Sequence, residues 1–235
     1  FVDVPYVLDA EYNYTRQSSE LPSAEENPLM SNQWHLQDAS LQNTWKYVDE
    51  NQLHEKLEKV VVAVIDTGVD YTHPNLVNSM WINVNETPGD GIDNDGNGYV
   101  DDIYGVSTVG NIFDANGNPM DEMGHGTHVA GIIAASEGSM GAVGVAYGSK
   151  IMAIKAGDSS GIFSDSDIIE AINYAILMGA DVINMSFGSY ARSAAIEDAL
   201  ALAYTSAVLV AAAGNDGLDI VKHGMPSYPA AYNFV

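Results

Sequence analysis

Along the chain, apolar and polar positions fall into two kinds of run. Val60 to Ile65 is an uninterrupted apolar stretch rich in β-branched residues, the pattern of a strand buried on both faces of a parallel sheet. It stops abruptly at Asp66-Thr67-Gly68. Lys150–Lys155, Val182–Ser186 and Val208–Ala213 read the same way. Between them the period lengthens. Ile168, Ile169, Ile172, Ala175 and Ile176 form one stripe of a helix, capped by Ser164 or Ser166, running to about Met178 and stopped by Gly179. A second helix is expected from about Ala194 to Ser206. Strand alternating with helix predicts an α/β fold, a parallel sheet with helices on both faces.

Gly124-His125-Gly126-Thr127-His128-Val129-Ala130-Gly131-Ile132-Ile133-Ala134-Ala135 departs from both patterns. It reads as the first turns of a buried helix. Gly126, Ala130, Gly131, Ala134 and Ala135 are small enough for another backbone to approach closely. Each glycine costs helix propensity, about 1 kcal/mol relative to Ala, which points to a packing or functional reason for keeping it. His125, at the start of such a helix, sits at the edge of the core, where an imidazole can exchange protons. His128 is read as a packed core histidine.

The remaining stretches are polar. Residues 1–27 form a linker or processing region, with Phe1–Val7 a candidate edge strand. A short helix is expected over Asp38–Trp45, and Leu53–Lys59 is amphipathic. Residues 81–124 are loop-like, rich in Gly, Asn and Asp, and contain no Lys or Arg. Within them Asp90, Asp93, Asp95, Asn97 and Asp102 place oxygen ligands at close spacing among glycines, which suits Ca²⁺. Asp93, Asp95, Asn97 and Gly98 match the opening of an EF-hand loop. The twelfth position falls on Tyr104, not a carboxylate, so an EF-hand is not expected. The plain alternative is a flexible acidic loop, against which stands the mutual repulsion of so many carboxylates.

Length and charge narrow the picture. The 235 residues, 46% hydrophobic, suffice for one substantial core. No apolar run approaches the ~20 residues of a membrane span. Eight Lys and Arg against 32 Asp and Glu give a net charge of −24, which disfavours nucleic acid as a partner. Metal cations, solubility and a salt-rich habitat are the readings this acidity supports. With no cysteine, disulfides, thiolate zinc sites and cysteine nucleophiles are excluded.

Asp66, His125 and Asn215 each stand at the edge of an expected element. An Asp orients a His tautomer, a His deprotonates a hydroxyl, and an Asn amide donates to an oxyanion. The surrounding motifs resemble those of the subtilisin-like serine proteases. Val64-Ile65-Asp66-Thr67-Gly68-Val69-Asp70 with His73-Pro74-Asn75-Leu76 resembles the family's aspartate motif, and Gly124 to Gly131 its histidine motif. Asn184-Met185-Ser186-Phe187-Gly188 and Ala211-Ala212-Ala213-Gly214-Asn215 resemble its substrate-binding strand and oxyanion segment. The resemblance covers residues 28–235, which implies the N-terminal part of a subtilisin-like catalytic domain acting on protein or peptide substrates.

The resemblance makes Asp66 the orienting carboxylate, His125 the general base and acid, and Asn215 the oxyanion donor. Ser186, Phe187 and Gly188 would pair with substrate backbone, and Ser159, Ser160 and Gly161 would form the opposite edge. Ala213, Gly214 and Ser227 would line a first specificity pocket with room for an apolar side chain. Phe1–Tyr6 is similar to the closing strand of the family's propeptide, and the acidic loop to a calcium insertion of some secreted members. A secreted or extracellular location is therefore expected. A second family calcium site fits poorly, with Asn75 and Gly138 where an Asp and an Asn are usual.

The family's nucleophile lies in a Gly-Thr-Ser-Met-Ala motif, which this sequence lacks. Gly157-Asp158-Ser159-Ser160-Gly161 matches G-x-S-x-G, but Asp66 and His125 precede it and no helix follows at once, so it is not expected to be a nucleophile elbow. A C-terminal segment, contiguous or on a second polypeptide, is expected to supply the Ser and complete the sheet. The chain alone is then expected to be inactive. The rival reading is an inactive relative that binds calcium or peptides.

Overall fold

The structure is a computed structural model that describes residues 29–110, 118–136, 141–217 and 224–235. The expectations for residues 1–27, and for Gly138, lie outside the described residues.

Five parallel strands make one sheet in the order β2-β3-β1-β4-β5. They are β1 (Val61–Asp66), β2 (Gly105–Ser107), β3 (Lys150–Lys155), β4 (Val182–Met185) and β5 (Val208–Ala211). The central strand, β1, pairs with β3 from Val61↔Lys150 to Asp66↔Lys155 and with β4 from Val62↔Val182 to Ile65↔Met185. Strands buried on both faces need apolar residues at every position, hence the unbroken runs.

Helices cover both faces. On one, α5 (Asp165–Leu177) and α6 (Ala194–Ala203) pack Ile172, Tyr174 and Leu200 against Ala63, Ile65, Met152, Ile154 and Ile183. On the other, Ala130 and Ala134 of α4 (His125–Ala134) meet Val62, Val64, Ile151 and Ala153. Ser164 caps α5, its hydroxyl accepting from the Asp167 amide at 3.2 Å. A third, smaller cluster joins α1 (Trp34–Asp38) and α2 (Leu41–Glu50) to Val143 through Leu36, Leu41 and Trp45. Trp45 Nε1 donates to Val145 O at 2.8 Å. The short α3 (His54–Leu57) leads into β1.

Four expectations are corrected. The helix read over Asp38–Trp45 is two helices, broken at Ser40, whose φ is +53°. The loop-like region 81–124 contains β2. That strand is short and begins at Gly105, where a Cβ would lie 1.9 Å from Ala153 O. The α4 helix is buried along one side only. Gly126, Ala130 and Ala134 are buried, whereas a Cβ on Gly131 would meet nothing within 4 Å and Ile132 is exposed. His128 lies on that open side and is exposed, not packed in the core. On the edge strand β5, Val208 and Val210 are also exposed, at 61% and 46%.

Candidate active site

Asp66 ends β1 at the carboxyl edge of the sheet, and His125 opens α4. Their approach depends on Gly126. A Cβ there would lie 2.1 Å from Gly68 O and 2.9 Å from the Asp66 Cβ. With hydrogen alone at that position, the start of α4 rests on the turn after β1. His125 Nδ1 and Asp66 Oδ1 are 2.7 Å apart. Asp66 Oδ1 also accepts the Thr67 amide at 2.7 Å. The Asp66 side chain is fully buried and its Oδ2 has no partner among the described residues. A buried carboxylate accepts, so Nδ1 carries the proton, which leaves Nε2 of the half-exposed imidazole free to accept one. No serine hydroxyl hydrogen-bonds this ring among the described residues.

Two cavities flank the extended segment after β4. One, of about 480 Å³, is lined by Ser186, Phe187, Gly188, Ala212, Gly214, Asn215 and Ser227. Ser186 to Gly188, Gly214 with Ser227, and Asn215 thus line one cavity, which Ala212 also lines. Ser227 is buried, and a Cβ on Gly188 would lie 2.7 Å from its Oγ. The segment 224–235 is held there by reciprocal bonds between Ser189 and Tyr228, at 2.9 and 2.7 Å. The sequence reading missed Asp216, a charged residue of this cavity, whose carboxylate accepts from Tyr190 OH. That hydrogen bond pushes the Tyr190 phenol above its ordinary value.

The second cavity, about 300 Å³, lies beyond Phe187 and includes Gly161, Phe163, Ile196 and Tyr232. Phe163 and Phe187 stack with ring centres 4.7 Å apart. Ser159 and Ser160 form a tight turn, the Asp158 carboxylate accepting the Ser160 and Ile162 amides at 2.8 and 3.0 Å. Gly157 bridges to Phe163 across it, and α5 starts only at Asp165. This is a loop edge rather than a strand–turn–helix elbow. Gly161 packs on the Met123 side chain, two residues before His125.

The acidic loop makes a separate centre. Glu86, Asp95 and Asp102 bring carboxylate oxygens within 4.8 Å of one another. Asn83 Nδ2 bridges Asp95 and Asp102 at 2.9 and 3.0 Å, Asn97 Nδ2 reaches Asp102 at 2.9 Å, and Tyr174 OH donates to Asp102 at 2.7 Å. Burial pushes the Asp102 carboxyl above the ordinary range, against the hydrogen bonds from Tyr174, Asn97 and Asn83, and the Asp95 charge pushes it further up. Asp90 and Asp93 lie outside this cluster. Asp93 accepts the Gly96, Asn97 and Gly98 amides, and Asp90 accepts from Ile92 and Asn94. Glu86 was missed by the sequence reading because it lies upstream of the glycine-rich spacing. Its carboxylate holds the loop by accepting the Asn94, Asp95 and Asp101 amides. The donors are all hard oxygens around a fully buried Asp102 whose hydrogen-bond partners are neutral. That set fits Ca²⁺.

A sequence model described as the subtilase family matches residues 58–235. Subtilisin-like protease 1 of Plasmodium berghei is 40% identical over 157 residues, 66% of this chain and 25% of that protein. The major intracellular serine protease of Bacillus subtilis is 37% identical over 182 residues, 77% of the chain and 50% of that protein. The halolysin-like extracellular serine protease Nep of Natrialba magadii is 35% identical over 237 residues, 99% of the chain and 37% of that protein. The chain therefore spans between a quarter and a half of the length of these relatives. Among the described residues no helix is long and apolar enough to cross a membrane.

Proposed function

The chain belongs to the subtilase family, and from that premise we propose that it is the Asp–His half of a serine endopeptidase site. The observation that carries this reading is the 2.7 Å contact between His125 Nδ1 and buried Asp66. Asp66 holds the tautomer and stabilises the imidazolium, while His125 Nε2 takes a proton from a serine hydroxyl and returns it to the leaving amine. Asn215, in the wall of the larger cavity, donates to the oxyanion. Removing such a donor costs ~10²–10³ in turnover, a figure measured in a subtilisin. Substrate backbone lies between the 159–161 turn and the 186–188 segment, adding as a strand.

The nucleophile comes from sequence beyond Val235, contiguous or on a companion polypeptide. Exposed Val208, Val210 and Ile132, at the edge of the sheet and along the open side of α4, give that segment an apolar surface to cover. Ca²⁺ held by Glu86, Asp95 and Asp102 would lock the 83–102 loop by neutralising its carboxylates. Residues 1–27 are read as the remnant of a propeptide or as a linker. Secretion fits the extracellular relative by name, while the Bacillus relative's name says intracellular.

A fluorophosphonate probe tests the reading. In material containing the chain together with the sequence that follows it, a serine beyond Val235 should be labelled, and His125→Ala should abolish labelling. A folded parent with no labelled serine would instead favour an inactive relative that binds calcium or peptides.

A further inference from the structure

We propose that Asp121 is the positioning residue that sets His125 against Asp66, acting through the two threonines that flank the pair. This rests on the reading of His125 and Asp66 as the proton-transfer pair. Thr67 follows Asp66 directly, and Thr127 lies two residues after His125. One carboxylate joins them. Asp121 Oδ1 accepts from Thr67 Oγ1 at 3.0 Å and from the Met123 and Gly124 amides at 2.9 Å each. Asp121 Oδ2 accepts from the Thr127 amide at 3.0 Å and from Thr127 Oγ1 at 2.6 Å. The two hydroxyls carry the connection onward. Thr67 Oγ1 accepts the Gly126 amide at 3.0 Å, and Thr127 Oγ1 accepts the Asp70 amide at 2.9 Å.

The first amides of a helix lack partners within it, and Gly124, the residue before α4, caps it with no side chain. Asp121 caps α4 from outside the helix and ties that cap to the turn after β1. A rotation of α4 about its start, which would swing the imidazole away from Asp66, has to break bonds to a charged acceptor, the strong kind. The strap carrying Asp121 is itself pinned to the sheet. Pro119 O accepts the Val69 amide at 2.9 Å, and Lys155 Nζ donates to Met120 O at 3.1 Å and pairs with Glu122 at 2.8 Å. Lys155 ends β3 opposite Asp66. Burial pushes the Asp121 carboxyl up, but the Thr127 hydroxyl and the Gly124, Thr127 and Met123 amides outweigh it, leaving the group below the ordinary carboxylate range.

The test reads the pair without any catalysis, in the chain itself, by proton NMR of the hydrogen-bonded His125 Nδ1–H, assigned by its loss in His125→Ala. Asp121→Asn keeps one accepting oxygen but turns the other atom into a donor facing the Thr127 amide. Exchange of the Nδ1–H with solvent should accelerate about tenfold, the equivalent of one charge-assisted hydrogen bond. In Asp121→Ala the signal should vanish. Ser79→Ala is the control. It removes a buried hydroxyl that donates to Ala134 O at the far end of α4, at 2.7 Å, and should lower stability while leaving the signal in place. A folded Asp121→Asn chain with unchanged exchange, or a Ser79→Ala chain with equally fast exchange, would overturn the positioning role. A parent chain lacking the signal would sink the pairing of His125 with Asp66, and the role of Asp121 with it.

Discussion

Two regions of this molecule crowd carboxylates and resolve the crowding in opposite ways. Around α4, Asp66 and Asp121 lie close to backbone and threonine donors, and Asp121 ends below its ordinary pKa. In the 83–102 loop, Glu86, Asp95 and Asp102 face one another with neutral amides and a phenol between them, and Asp102 ends above its ordinary pKa. In the first, the chain's own amides and hydroxyls saturate Asp121, while Asp66 Oδ2 stays buried without a partner among the described residues. The second keeps a buried charge that only a cation or a proton offsets. One region is braced by the chain's own dipoles, while the other gathers carboxylates in a set that could hold a cation.

The largest separation between them should come from a single methyl group. Gly126→Ala forces a Cβ to 2.1 Å from Gly68 O, a backbone contact that cannot give way by turning a side chain. The expected cost is about 3 kcal/mol, read as a lower urea midpoint, together with loss of the His125 Nδ1–H signal. Calcium should act on the other region alone. At a hundredfold excess over its dissociation constant it should stabilise the chain by about 2.7 kcal/mol. In Glu86→Gln or Asp102→Asn that gain should vanish, while the His125–Asp66 pair stays intact. A calcium gain that survives both substitutions would move the ion elsewhere.

How much of this the sequence disclosed follows from burial. β1, β3 and α5 were legible almost to the residue, because strands covered on both faces and a striped helix leave no other pattern. β2 was not, since three residues beginning with glycine inside an acidic loop carry no period. His128 was misread because the helical period fixes a side of α4 without saying whether anything covers it. Asp66, His125 and Asn215 were legible as motifs, but Asp121 was hidden: its partners are Thr67, 54 residues away, the Thr127 hydroxyl and local amides. Glu86 was hidden by the same rule. Alternating spacing pointed to Asp90 and Asp93, yet in the structure these carboxylates turn back on neighbouring backbone and side-chain amides and shape the loop.

Acid should reveal the sign of the first region. A carboxyl held below its unfolded value contributes stability that is present above the unfolded pKa, about 4, and is lost as pH falls through the folded value. The parent should therefore exceed Asp121→Asn by about 1 kcal/mol at neutral pH, allowing for solvent screening. The two should converge well below pH 4 in urea titrations. A gap that persists into strong acid would mean that the shape of the side chain, not its charge, does the bracing.

The same glycine-to-alanine change in the second region should cost far less than it does at Gly126. Gly96 has φ +74° and nothing within 4 Å of where a Cβ would stand, and its amide donates to Asp93 Oδ1 at 2.7 Å. Alanine there meets only the intrinsic penalty of the left-handed conformation, about 1 kcal/mol, with no neighbour to displace. Gly96→Ala should thus lower the urea midpoint about a third as far as Gly126→Ala, with an unchanged slope. Equal losses would mean that the contact with Gly68 gives way at little cost, since Gly126, unlike Gly96, has ordinary helical backbone. The close seating of α4 on the turn after β1 would then need a different cause.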